Sequence, residues 1–304
     1  MGQQQRVIGI DAGATKTVGL LADADGRVLA RARGGGANLQ VQGEAQVEAV
    51  FRTIIRDLSE TGAADALCVG IAGVDRPGDE SAMREILTRL GFAEARIVND
   101  AVIALVAGSP NRTGIVVLSG TGSIAYGVDP KGGVARAGGF GSLLGDEGSG
   151  YWLGNQAVRA VVRAADGRGP ATRLTGMVLE TLGISTIDEL VPVFYEQHLT
   201  RTSVAALASR VERARAQGDG VASELMIRAA QELVLAAQAV VNKLRFDGPY
   251  ALVLAGGVFQ ACPSLVRLVI DRLRLPLAQP ALLDREPAAG AVLLAIDLLP
   301  SVPD

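Results

Sequence analysis

Two short turns in this 304-residue sequence carry the residue types that handle phosphate groups. The first is Asp11-Ala12-Gly13-Ala14-Thr15-Lys16-Thr17, set between the apolar runs Val7-Ile8-Gly9-Ile10 and Val18-Gly19-Leu20-Leu21. A hairpin tip of this make-up offers backbone N–H groups, hydroxyls, one cation and one carboxylate, which suits a phosphate chain with its metal ion. The second turn, Ser119-Gly120-Thr121-Gly122-Ser123, follows the β-branched run Ile115–Leu118. Gly120-x-Gly122-x-x-Ala125 formally matches a dinucleotide fingerprint, but that motif needs a helix after the turn, and Ile124–Val128 reads as a strand. No Gly-x-x-x-x-Gly-Lys-Ser/Thr occurs, which removes the common strand-to-helix phosphate loop. Either turn alone is explained by an ordinary hairpin with a polar tip. Two tips of similar composition favour a polyphosphate pinched between them.

Three further stretches carry candidate chemistry. Asn99-Asp100 follows a strand and opens a helix. Helix capping explains an Asp there, and a carboxylate at the carboxyl end of a strand is also where open α/β sheets place ligands. In Gly138-Gly-Phe-Gly-Ser-Leu-Leu-Gly-Asp-Glu-Gly-Ser-Gly150, six glycines surround Asp146 and Glu147 just before a long helix. Acidic residues there complement the helix dipole, but the glycines exceed what one cap needs. A loop held open for a polar ligand, with Asp146 or Glu147 accepting hydroxyl protons, fits better. Trp152 is expected to pack its helix. Ala255-Gly256-Gly257 would let a flat ring lie against backbone, although a plain strand-to-helix turn explains it equally well. His198, the sole histidine, sits in a polar stretch and is read as solvated, so no histidine-dependent triad is expected.

The elements that must position these residues repeat. A strand hairpin, a third strand over 27–33, a helix of about 18 residues with Val47, Val50, Phe51, Ile54, Ile55 and Leu58 on one face, a strand over 66–72, a helix over 80–90, a strand over 95–98 and a helix over 101–107 give β-β-β-α-β-α-β-α. At Gly114 the pattern restarts with a second hairpin. Helices over 149–165, 172–182, 186–194, 203–216 and near 219–245 follow, then a strand over 250–254, a helix to Leu273 that contains Cys262, a short strand near 275–278 and a helix over 288–298. Two strand-rich halves, each opened by a Gly/Thr hairpin, predict a duplicated α/β architecture with a central cleft. Its domains are expected over 1–112 and 113–286, with a C-terminal helix over 287–304 returning to the first.

Composition narrows the partners. Hydrophobic residues make up 49% and mean hydropathy is +0.30, yet no apolar run of about 18 residues appears, so no membrane partner is expected. A net charge of −3 without a basic cluster argues against nucleic acid. Cys68 and Cys262 read as buried small hydrophobes. With a polar N-terminus lacking a signal core, a cytoplasmic protein is expected. Oligomeric state is left open, a homodimer included.

Asp11-x-Gly-x-Thr-Lys-Thr17, Asn99-Asp100, Ser119-Gly-Thr-Gly-Ser123, Gly139-Phe-Gly-x-x-x-Gly-Asp-Glu-Gly-Ser149 and Ala255-Gly-Gly257 fall in a familiar order. Across essentially its whole length the chain resembles the N-acetylglucosamine kinase branch of the sugar kinase, chaperone ATPase and actin superfamily. That branch also holds the ATPase activators of benzoyl-CoA reductase-type enzymes, the BadF-BadG-BcrA-BcrD group. The resemblance implies duplicated ribonuclease-H-like (actin-like ATPase) domains and an ATP-dependent, Mg²⁺-requiring kinase acting on the 6-hydroxyl of N-acetylglucosamine or glucosamine. It also implies Asp100 as catalytic base and sugar contact. Gly13, Thr15, Lys16, Thr17, Gly120, Thr121 and Gly122 would meet phosphates, and Gly256 and Gly257 adenosine. Asn38, Gly139, Gly141 and Asp146 would meet sugar, and Asp11 would hold Mg²⁺ through water. The Cys-rich zinc motif and Glu-x-Gly-His sugar motif of repressor-like hexokinases are missing, and two cysteines cannot ligate the [4Fe–4S] cluster usual in reductase activators. The alternative function is an ATP-driven conformational switch acting on a partner protein.

Overall fold

The computed structural model describes residues 5–74, 77–195 and 199–300; His198 lies outside them. The chain divides into two compact units, one built up to Gly114 and again from Leu283 onward, the other from Ile115 to Leu282.

In the first unit, β1 (Arg6–Ala12), β2 (Lys16–Asp23) and β3 (Val28–Gly35) form an antiparallel meander, while β4 (Ala66–Ile71) and β5 (Arg96–Asn99) extend the sheet in parallel from β1. The strand order is β3-β2-β1-β4-β5. The central strands are apolar on both faces because helices cover both. Ile8, Ile10, Leu21, Leu67 and Val69 face α2 (Glu44–Ser59) and α3 (Pro77–Arg89). Val7, Val18, Leu20, Ala66 and Cys68 alternate to the other face, against α4 (Asp100–Gly108) and α13 (Ala288–Ile296). Gly9 sets how close α13 comes: a Cβ there would lie 2.3 Å from the Val292 nitrogen, so only glycine fits. The single helix expected after Asn38 is broken into α1 (Leu39–Gln42) and α2, because Gly43 between them takes φ 75°.

The second unit repeats the plan. β6 (Gly114–Ser119), β7 (Ser123–Val128) and β8 (Val134–Gly138) form the meander, β9 (Tyr250–Ala255) lies parallel to β6, and β10 (Ala278–Leu282) lies parallel to β9. Its order, β10-β9-β6-β7-β8, is that of the first sheet element for element. Between β8 and β9 come α5 (Gly150–Ala165), α6 (Leu174–Leu182), α7 (Leu190–Tyr195), α8 (Arg201–Ala205), α9 (Ala208–Ala216) and α10 (Gly220–Val241). The helix expected over 203–216 is thus two. So is the one expected to run to Leu273: α11 (Gly257–Ala261) and α12 (Pro263–Arg272) are separated at Cys262, since the residue before a proline is driven out of the helical region. Cys262 therefore sits in a helix break, still fully buried. The last strand falls over 278–282 in place of 275–278, and tolerates Pro280 because β10 is an edge.

Candidate active site

The first unit gathers three expected residues at the carboxyl ends of its parallel strands. Asp11 ends β1 beside the hairpin tip, where the Gly13 N–H donates to the Lys16 carbonyl at 3.0 Å. Thr15 and Lys16 are exposed at that tip. Thr17 differs from expectation. It is fully buried and its hydroxyl donates to the Gly35 carbonyl at 2.8 Å, so it ties β2 to β3 and does not present its oxygen to a phosphate. Asn38 donates from Nδ2 to the Ala72 carbonyl just past β4, at 3.0 Å. A residue that sequence reasoning missed, Gln42, accepts the Asn38 N–H at 2.9 Å and donates to the Ala14 carbonyl at 3.0 Å, joining Asn38 to the hairpin tip. Its signal was the spacing: four residues after Asn38, at a helix end, is hydrogen-bond distance.

Asp100 and Asn99 divide their labour. Asn99 is the helix cap, with extended backbone (ψ 147°) and Oδ1 accepting the Ala101 N–H at 2.9 Å. Asp100 is the first residue of α4, and its own Oδ1 only shares that N–H, at 3.0 Å. Capping is met without it and does not account for Asp100. Its charge is felt by Asp11, whose carboxyl is pushed up from 3.8 to about 7 by burial first and by Asp100 second, against an opposing pull from Lys16. Two carboxylates that resist ionising together form a site short of positive charge. Among the described residues no group of three His, Cys, Asp or Glu could hold a metal ion by itself. The pair has the oxygen donors of a Mg²⁺ that arrives with phosphates, the usual way that ion is shared.

In the second unit the remaining motifs are stitched together by backbone. The Ser119–Ser123 turn closes on itself through the Gly120 N–H and Gly122 carbonyl, 2.9 Å apart. Ser119 Oγ donates to the Gly148 carbonyl at 2.8 Å, and Ser123 Oγ to the Glu147 carbonyl at 2.7 Å. The Gly150 N–H returns to Gly120, and the Gly139 N–H to Ser123. The 138–150 loop is thus fastened to the turn at both ends. Gly256, at φ 109°, brings the end of β9 against the same turn: a Cβ there would lie 2.2 Å from the Ser119 carbonyl oxygen. Gly120, Thr121, Gly122, Gly139, Gly141, Asp146, Gly256 and Gly257 consequently belong to one neighbourhood.

Asp146 is 4% exposed and holds φ 63°, a left-handed backbone uncommon outside glycine. Its Oδ1 accepts the Ser123 N–H at 3.2 Å and its Oδ2 the Arg201 Nη2 at 2.6 Å. Burial raises its carboxyl, against the lowering effect of those two bonds. Arg201 was missed from sequence, since nothing local connects residues 55 apart. Trp152 packs on the core beneath α5, with the Arg228 guanidinium 5.3 Å from its ring centre. Cys68 and Cys262 are free and buried, their thiols pushed up to about 12 by burial, which makes both poor metal ligands.

Comparison with known proteins places this arrangement. The chain is 38% identical over 259 residues to an N-acetylmuramic acid/N-acetylglucosamine kinase of Clostridium acetobutylicum, covering 83% of this chain and 85% of that one. It is 32% identical over 311 residues to an N-acetyl-D-glucosamine kinase of Dictyostelium discoideum, covering 95% and 97%. A Chromobacterium violaceum structure, provisionally named an N-acetylglucosamine kinase, matches 96% of this chain and 99% of its own with TM-score 0.78 and 28% identity. A Streptomyces griseus ROK family glucokinase solved with glucose and AMPPNP matches at TM-score 0.59 and 20% identity, over 95% and 98%, a likeness of fold. The duplicated α/β plan is that of the actin-like ATPases and their sugar-kinase relatives. The model of one family matches residues 8–295, nearly all of the sequence: the chain belongs to the BadF/BadG/BcrA/BcrD ATPase family.

Proposed function

We propose that this protein is an ATP-dependent amino-sugar kinase that phosphorylates the 6-hydroxyl of N-acetylglucosamine or glucosamine in the cytoplasm. The observation that carries the reading is the two carboxylates at strand ends of one sheet: Asp100 opens α4 while Asn99 caps it, and burial, with the Asp100 charge second, raises the Asp11 carboxyl at the end of β1 to about 7. The named activities of the two relatives that span most of the chain support the same chemistry.

In this reading Asp100 orients the sugar hydroxyl and takes its proton as the oxygen bonds to the γ-phosphorus and the bond to ADP breaks. Asp11 would hold Mg²⁺, which would supply charge neutralisation on the phosphates. Gly13, Thr15 and Lys16 at one tip, and Gly120, Thr121 and Gly122 at the other, contact the phosphates. Thr17 serves by fixing the first tip on β3. Gly256 and Gly257 receive adenosine. Asn38, Gly139, Gly141 and Asp146 receive the sugar. Positioning and charge neutralisation supply most of the rate enhancement.

A panel of sugars assayed by coupled ADP release tests this. ADP formation that depends on N-acetylglucosamine or glucosamine, with phosphate found on O6 by NMR, is the expected result. ATP hydrolysis indifferent to every sugar would refute the kinase and assign the protein to the ATP-driven switches that act on a partner protein.

A further inference from the structure

Asp146 is an expensive residue. It is a nearly buried carboxylate in a left-handed backbone conformation, and a charge in that setting needs a partner held in place. Arg201 is that partner, with Nη2 2.6 Å from Oδ2. Arg201 is the first residue of α8, a short helix capped by Thr200, whose hydroxyl accepts the Ser203 N–H. The helix packs closely on α5: a Cβ at Gly154 would lie 2.0 Å from the Val204 carbonyl oxygen, an approach only glycine permits. The guanidinium also lies over the Tyr151 ring, 5.6 Å from its centre, and the Tyr151 N–H donates to the Thr121 carbonyl at 3.3 Å. Arg201 therefore touches the glycine loop and the start of α5, both bonded to the Ser119–Ser123 turn.

We propose that Arg201 is a positioning residue for phosphoryl transfer: its guanidinium, hydrogen-bonded to Oδ2, balances the charge of the Asp146 carboxylate and aims it at the sugar. The inference rests on the reading of Asp146 as a sugar contact. The charged groups facing Asp146 are Arg201 from α8, which favours its ionised form, and Glu147 from its own loop, which opposes it; the β6–β7 turn contributes only the Ser123 N–H. Loss of Arg201 leaves burial and Glu147 unopposed except by that N–H. Asp146 then protonates at higher pH, and sugar binding fails there.

The test compares pH profiles of kcat/KM for N-acetylglucosamine in the wild type, Arg201→Met and Arg201→Lys. Removing an adjacent opposite charge moves a carboxyl by roughly 1–3 pH units, so the acid limb of Arg201→Met should move up by at least about one unit. The sugar KM should rise about tenfold or more on the acid side, with the ATP KM unchanged. Arg201→Lys, which keeps the charge and loses the planar fork, should fall between the two. An Arg201→Met profile with the wild-type shape, even if uniformly lower, would overturn the proposal and leave Arg201 a packing residue. If the Met variant does not fold, Arg201→Gln, which also removes the charge but keeps a polar side chain, takes its place, and an acid limb coincident with wild type overturns the proposal equally. A wild-type protein that phosphorylates no sugar at any pH would refute the proposed function and this inference together, an outcome distinct from an active enzyme with unmoved profiles.

Discussion

Replacing Asp100 by Asn separates the chemical from the structural role of the carboxylate. The structural cost is small. The cap on α4 is Asn99, whose bond to the Ala101 N–H is untouched, so the loss of about 1 kcal/mol that follows removal of a cap is not incurred. The electrostatic effect is favourable to folding: Asp11 loses the neighbour that helps push it to about 7, and one source of repulsion disappears. The chemical cost is large. A positioned base is worth roughly 10²–10⁴ in rate, or about 3–5 kcal/mol of barrier. Asp100→Asn should therefore keep or slightly raise its melting temperature, bind ATP as wild type does in calorimetry, and lose two to four decades of kcat in the coupled assay. Asn99→Ala is the mirror control, with stability lowered by about 1 kcal/mol and kcat largely kept. A stable Asp100→Asn enzyme turning over at near wild-type rate would refute the base assignment.

Three other outcomes follow from the same geometry. Asp11→Asn should stabilise the fold above pH 7 and leave it unchanged below pH 4: a carboxyl whose folded pKa is raised from 3.8 to about 7 penalises the folded state once ionised, by at most ~4 kcal/mol and less in proportion to its solvent contact. Denaturant melts at pH 4 and pH 8 read the effect, and an equal change at both would contradict an origin in the ionised carboxylate; activity should be lost at either pH. Asn38→Ala should raise the sugar KM about tenfold or more with the ATP KM near wild type in initial-rate assays, and a fall in ATP affinity instead would show the loop to be wrongly assigned. Thr17→Val should cost roughly 0.5–1.5 kcal/mol in urea melts, the net worth of its bond to the Gly35 carbonyl, and should spare ATP affinity, whereas Thr15→Val should weaken ATP binding and spare stability. The reverse pattern would return Thr17 to the phosphate.

What sequence could and could not disclose is physically consistent. The hairpins were legible because apolar β-branched runs on either side of a Gly-rich turn leave few alternatives, and the repeated strand order follows from two such hairpins in one chain. The inward turn of Thr17 was within reach: it shares the parity of Leu21 along β2, and Leu21 lies in the core beneath α2. Asn99 and Asp100 could not be told apart as caps, since both residue types cap well and the choice depends on which one keeps extended backbone. Breaks at Gly43 and before Pro263 are local effects that hydrophobic periodicity alone runs straight across. Arg201 had no local signal at all. Its partner lies across a segment of three helices whose packing, and not whose spacing, brings the two side chains together.

The position of α13 has a consequence for how the protein is made. The face of the first sheet that carries Val7, Val18, Leu20 and Cys68 is completed by a helix translated only after the whole second unit. On the ribosome the second unit is available as one uninterrupted stretch, while the first waits with an oily surface and a glycine notch at Gly9 for a segment still inside the synthetic machinery. At nine residues and without a single charged side chain, α13 is too short to stand as a helix in water and gains order only by docking. This late helix is thus the latch for the first unit, and premature termination upstream of Ala288 releases a polypeptide whose first unit exposes the surface that chaperones and proteases recognise.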